Sequence, residues 1–72
     1  MTTAQILEKS VRALGGTWDT QRAVTALRDA GIGTGTRRQQ EKRAREALRV
    51  LGKERVIVRT DPHTATYRTT EQ

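Results

Sequence analysis

The stretch from Thr36 to Leu51, TRRQQEKRAREALRVL, decides how the rest of the chain is read. Ala44, Ala47, Leu48 and Leu51 recur at i, i+3, i+4 and i+7, a spacing that lines four side chains along one side of a helix. Arg38, Lys42, Arg45 and Arg49 recur at i, i+4, i+7 and i+11, on a side turned well away from that apolar face. Thr36 supplies an N-cap oxygen, and Gln39 three residues later completes a capping box, so the orphan amides of the first turn have partners. Gly52 is expected to stop the helix, which gives an element over about 37–51. One face of this helix requires a core, and the other attracts anions.

The charge of the whole chain is concentrated here. From Arg37 to Arg59 there are nine basic and three acidic residues, a net of +6, whereas the remaining residues carry five of each. The formal net charge of +6 and the isoelectric point near 11.1 therefore belong to one helix and the segment after it. A footprint localised in this way is what a phosphate-neutralising surface presents. Arginine outnumbers lysine eleven to three, but a GC-rich genome enriches arginine everywhere. The position of the arginines is the informative observation.

Seventy-two residues make a single domain, 1–72, with a thin core, since a chain of this size buries only about 60% of its unfolded surface. The chain has no phenylalanine, one tryptophan and one tyrosine, so the core is built from aliphatic residues around Trp18. The absence of cysteine excludes a disulfide scaffold and a thiolate metal site, and the lone His63 cannot build a zinc cluster. No apolar run approaches the roughly 20 residues needed to span a bilayer, and the amino terminus lacks the apolar region of a secretory signal. The expected location is the cytoplasm, with no membrane partner. No paired carboxylates, ligand set or activated nucleophile point to catalysis, so the chain is not expected to be an enzyme or to need a cofactor or metal.

Working outward from the basic helix, the amino-terminal segment predicts a helix over about 3–14. Thr2 or Thr3 caps it, Ile6, Leu7, Val11 and Leu14 form its apolar stripe, and Gly15-Gly16 ends it. Thr17 and Trp18 form a brief extended piece, with Trp18 as the large side chain between the helices. A second helix over about 20–30, capped by Asp19 or Thr20, buries Ala23, Val24, Leu27 and Ala30 and displays Arg22 and Arg28. The turn that follows, GIGTG from Gly31 to Gly35, lacks the Gly-Lys-Ser/Thr ending of a phosphate loop and follows a helix instead of a strand, so it reads as a helix–helix connector. Within it, Ile32 is placed to pin the chain back onto the helix it leaves. Beyond the basic helix, RVIVRT and ATYRTT flank the turn residues Asp61, Pro62, His63 and Thr64, which predicts a β-hairpin over about 55–69. Val56 and Val58 are expected on one inward face, with Ala65 and Tyr67 opposite them.

Helix, extended residue, helix, turn, basic helix and hairpin, with the G-x-W-D/T signal at Gly16 to Thr20 and the LGKERVIV run at Leu51 to Val58, resemble a winged helix-turn-helix domain over almost the whole chain. The expected fold is therefore α+β, mainly α: three helices with a C-terminal two-stranded β-hairpin wing. Similar arrangements occur in small bacterial, plasmid and phage regulators, in replication proteins, and in the terminal DNA-reading domain of FtsK-like and conjugative translocases. In that family the third helix enters the major groove and the wing lies along the backbone or minor groove. The resemblance implies that Thr36, Arg37, Arg38, Gln39, Lys42, Arg43 and Arg45 face the groove, and that Arg55, Arg59, His63 and Arg68 serve the wing. Arg49 extends the basic stripe beyond them.

The expected function is a double-stranded DNA-binding module, a small transcription regulator or accessory factor of a plasmid, phage or translocase. Homodimerisation or tandem binding on repeated sites would supply contacts that one module of this size lacks. Two alternatives keep the fold and change the ligand: a winged helix that binds an acidic partner protein, and one that binds RNA. Thr36, Gln39 and Gln40 are the neutral base readers that the third helix offers, whereas its arginines suit guanine or the phosphate backbone.

Overall fold

The computed structural model describes residues 1–70. Helix α1, Thr3–Leu14, starts from a capping box in which the Thr2 hydroxyl accepts from the Gln5 amide and the Gln5 side chain accepts from the Thr2 amide. Its buried line is Ala4, Leu7 and Val11, with Ile6 half-buried beside it. Leu14, expected inside, is 65% exposed. It occupies the last helical position, where the chain turns away at Gly15.

Helix α2, Thr20–Asp29, is capped by Asp19, whose carboxylate accepts from the Arg22 amide at 2.8 Å. It buries Ala23, Val24 and Leu27, but Ala30 lies just past its end and is exposed. The helix closes in a Schellman motif: Ile32 N–H donates to Leu27 O at 2.8 Å and Gly31 N–H to Arg28 O at 3.0 Å, with Gly31 at φ +92°. Ile32 packs against the core as expected.

Helix α3, Arg37–Lys53, is two residues longer than the sequence predicts. Gly52 lies inside the helix instead of ending it, and the stop comes three residues later. Val56 N–H donates to Leu51 O at 3.0 Å and Arg55 N–H to Gly52 O at 3.1 Å, a second Schellman motif whose left-handed residue is Arg55 at φ +62°. A bulky residue in that region is rare, which is why the sequence directs attention to Gly52. The apolar face of α3 packs as predicted, with Ala44, Ala47, Leu48 and Leu51 all buried.

The C-terminal element is a correction to the expected two-stranded wing. Strands β1 (Thr17–Trp18), β2 (Ile57–Arg59) and β3 (Tyr67–Thr69) form a three-stranded antiparallel sheet in the order β1-β3-β2. Trp18 pairs with Tyr67 and Thr17 with Arg68, and Thr69 N–H donates to Gly16 O at 3.1 Å. The brief extended piece thus occupies the β3 edge that a two-stranded hairpin would leave unpaired. Strand β2 pairs on the other side, with Ile57 opposite Thr69, Val58 opposite Arg68 and Arg59 opposite Tyr67.

That register reverses the expected faces of β2. Ile57 is fully buried, and Val58 lies on the outer face with Arg68 and Thr17. Val56 is still buried because it precedes the strand, as the apolar residue that closes the α3 end motif against Leu51. Residues 60–66 form the wing loop, so Ala65 is half-buried and outside the strand.

One hydrophobic cluster joins all three helices to the sheet, with Trp18, Leu7, Leu27, Leu48, Leu51 and Ile57 as its largest sealed side chains. Trp18 is the anchor that the sequence predicts, at 0% exposure. Arg22, expected outward, lies with its guanidinium 4.1 Å from the Trp18 ring centroid and donates to Gly15 O at 3.1 Å and Thr17 O at 2.7 Å. No charged or polar residue is buried among the described residues. Three helices and a small antiparallel sheet are compatible with a winged helix.

Candidate nucleic-acid interface

Because the buried face of α3 is set by Ala44, Ala47, Leu48 and Leu51, the opposite face must carry Arg38, Lys42, Arg45 and Arg49 into solvent, and all four are exposed. None of the four forms an ion pair or a side-chain hydrogen bond among the described residues, where the only ion pairs are Glu8–Arg12 and Arg37–Glu41. Lys53 continues the i, i+4 spacing beyond Arg49 and is also exposed. At 1.5 Å rise per residue, the row from Arg38 to Lys53 extends roughly 22 Å along the helix.

The other predicted site residues divide by what they touch. Thr36 and Gln39 cap α3: Gln39 N–H donates to Thr36 Oγ1 at 3.2 Å, and Thr36 N–H donates to Gln39 Oε1 at 2.8 Å. Arg37 pairs with Glu41 at 3.3 Å at the exposed start of the helix. Arg43 turns inward and donates to Thr34 O at 3.0 Å and Ile32 O at 3.4 Å, so it ties α3 to the connector that precedes it. Arg59 Nε donates to the carbonyls of Asp61 and Thr64 at 3.2 and 3.1 Å and holds the wing loop together. His63 is exposed at the loop tip, where its amide donates to Asp61 Oδ1 at 2.8 Å. Arg68 is exposed on the outer face of the sheet. Arg55 is exposed at the junction of α3 and the wing, its carbonyl accepting from the Thr70 hydroxyl at 3.1 Å.

The fold brings α3 and the wing to one groove, which Arg49, Lys53 and Arg59 border and whose floor includes Ile57 and Tyr67. Lys53 and Tyr67 are absent from the sequence-derived set. Lys53 is missed because Gly52 reads as a helix stop, and Tyr67 because it is expected on the inward face of its strand. A second groove lies between α2 and α3, where Arg28 and Arg37 flank Gln40. Gln40 is engaged within the protein, donating from Nε2 to Gly35 O at 3.0 Å and accepting from Arg28 at 3.5 Å.

The arrangement is a row of solvated cations on a rigid helix beside a basic groove, suited to binding an extended polyanion. Among the described residues no group of three or more His, Cys, Asp or Glu side chains could hold a metal ion, and no helix is long and apolar enough to cross a membrane. Comparison with family models, curated proteins and solved structures gives no match to this chain.

Proposed function

We propose that the protein is a double-stranded DNA-binding module of winged-helix type, with α3 in the major groove and the wing along the backbone or minor groove, acting as a small regulator or accessory DNA-binding factor. One observation carries the reading: Arg38, Lys42, Arg45 and Arg49 stand in a single exposed row with no carboxylate partner among the described residues, on a helix whose opposite face is sealed in the core. A helix so anchored holds its charges at fixed spacing, and the duplex offers about one negative charge per 1.7 Å of axis against which they act. The major groove, about 12 Å wide, admits an α-helix, and the row continued to Lys53, roughly 22 Å long, extends past it to the flanking phosphates.

The test is fluorescence anisotropy with a labelled duplex, titrated across salt. Binding should weaken linearly on log–log axes, with a slope of about 0.9 per neutralised phosphate. Arg38→Ala and Lys42→Ala should each weaken binding and lower the slope by about 1, whereas Lys9→Ala on α1, with the same loss of charge, should not. Equal behaviour of all three variants would remove the proposal.

A further inference from the structure

We infer that the α3 surface engages duplex DNA with little discrimination of base sequence, its ligand being the phosphodiester backbone of any B-form duplex. The inference rests on the duplex-binding reading above and narrows it. Sequence is read directly by side chains that offer a base edge a matched set of hydrogen-bonding atoms, and adenine is read by the two ends of one Asn or Gln amide used together. The chain contains no asparagine, and α3 carries two glutamines, Gln39 and Gln40.

Both glutamines already have partners. Gln39 Oε1 accepts from the Thr36 amide at 2.8 Å, and that oxygen lies over Gly35 so closely that a Cβ there would stand 2.6 Å from it. Gln40 is half-buried and bonded through both amide ends, to Gly35 O and to Arg28. Gln39 would read adenine only by opening the capping box of α3, and Gln40 only by releasing Gly35 O and Arg28. Of the carboxylates that accept from cytosine, Glu41 is tied to Arg37, and Glu46 lines the groove between α1 and α3 with Ala4 and Val50. The Thr34 hydroxyl remains, and the Thr36 hydroxyl, which accepts from the Gln39 amide, keeps its proton to donate; hydroxyls bond to either kind of base.

The cations complete the argument. Arginine reads guanine through two parallel hydrogen bonds, and it does so most selectively when neighbouring side chains hold its guanidinium in one orientation. Arg22, Arg43 and Arg59 are held by the protein's own carbonyls, and Arg37, which meets Glu41 at 3.3 Å, is the one α3 arginine braced by a side chain and so the guanine reader that the helix keeps. Arg38, Arg45 and Arg49 are unbraced among the described side chains, which suits neutralisation of phosphates and not selection of a base edge.

The experiment compares the intact chain on equal-length duplexes of all A·T, all G·C and mixed sequence, and on a duplex enriched by selection from a random library, at one moderate salt concentration. The expected result is salt-steep binding to every duplex, with dissociation constants within about threefold of one another and Arg38→Ala weakening all of them by the same factor. An enriched duplex bound roughly tenfold or more tightly than the others would overturn the inference while leaving duplex binding intact, because one well-read base pair is worth about that much. Failure to bind any duplex at low salt, with Trp18 fluorescence showing the chain folded, would overturn the duplex-binding reading and this inference together. As an internal check, a preference that vanishes in Gln39→Ala or Gln40→Ala would show a glutamine reading bases and refute the argument directly.

Discussion

Arg55 is the residue at which the structure predicts a gain from losing a side chain. It holds φ +62° as the left-handed residue of the motif that ends α3, the position that Gly31 occupies at the end of α2 with φ +92°. An L-residue in that region carries about 1–2 kcal/mol of strain relative to the right-handed helix, and glycine escapes it. Against that stands the greater freedom of glycine in the unfolded chain, about 0.5–1 kcal/mol. Arg55→Gly should therefore stabilise the fold by roughly 0.5–1 kcal/mol, which for a domain of this size raises Tm by about 2–8 °C.

Relief of charge repulsion in a basic segment is the competing cause of any stabilisation, so the experiment needs Arg55→Ala beside it. Alanine removes the charge and keeps the Cβ, and its Tm should stay near that of the wild type, as for most surface substitutions. Thermal unfolding followed by circular dichroism at about 1 M salt, where the Debye length falls to about 3 Å, separates the two causes further. Backbone strain at Arg55 is refuted if Arg55→Gly melts at or below the wild-type temperature, or if Arg55→Ala stabilises as much as Arg55→Gly.

Substitutions at two further positions, Gly52 and Arg22, probe the packing that positions the basic face. Gly52→Ala should stabilise by up to about 1 kcal/mol, because Gly52 is helical and an added Cβ would meet Tyr67 Cε2 at an ordinary 3.5 Å; a lowered Tm would mean that the tyrosine needs the glycine's space. Arg22→Ala should destabilise by roughly 1–3 kcal/mol in urea unfolding, through loss of two carbonyl partners and the Trp18 stack. Arg22→Lys should recover less than half of that, since an ammonium lacks the planar fork, and full recovery would show that charge alone matters.

The parts legible before folding were those governed by local periodicity and capping. The three helices start where Thr2, Asp19 and Thr36 place side-chain oxygens over open amides, and the buried faces of α2 and α3 follow from spacing alone. What failed involved partners distant in sequence. Val58 and Ile57 exchange faces because their register, against Arg68 and Thr69, is set 10 or more residues away. Thr17 and Trp18 become a strand only because β3 has a free edge beside them.

The same division runs through the candidate interface. The row Arg38, Lys42, Arg45 and Arg49 was determined by the sequence, because a helical repeat puts these positions on one side whatever the helix packs against. Which polar residues remain available to a ligand was decided only by the tertiary structure. Arg22, Arg43 and Arg59 find backbone carbonyls at turns, where the chain leaves acceptors outside helix and sheet ladders, and Gln40 finds Gly35 in the same way. Those acceptors exist only once the turns have formed, so no pattern of residue types along the chain announces which cations the fold itself retains.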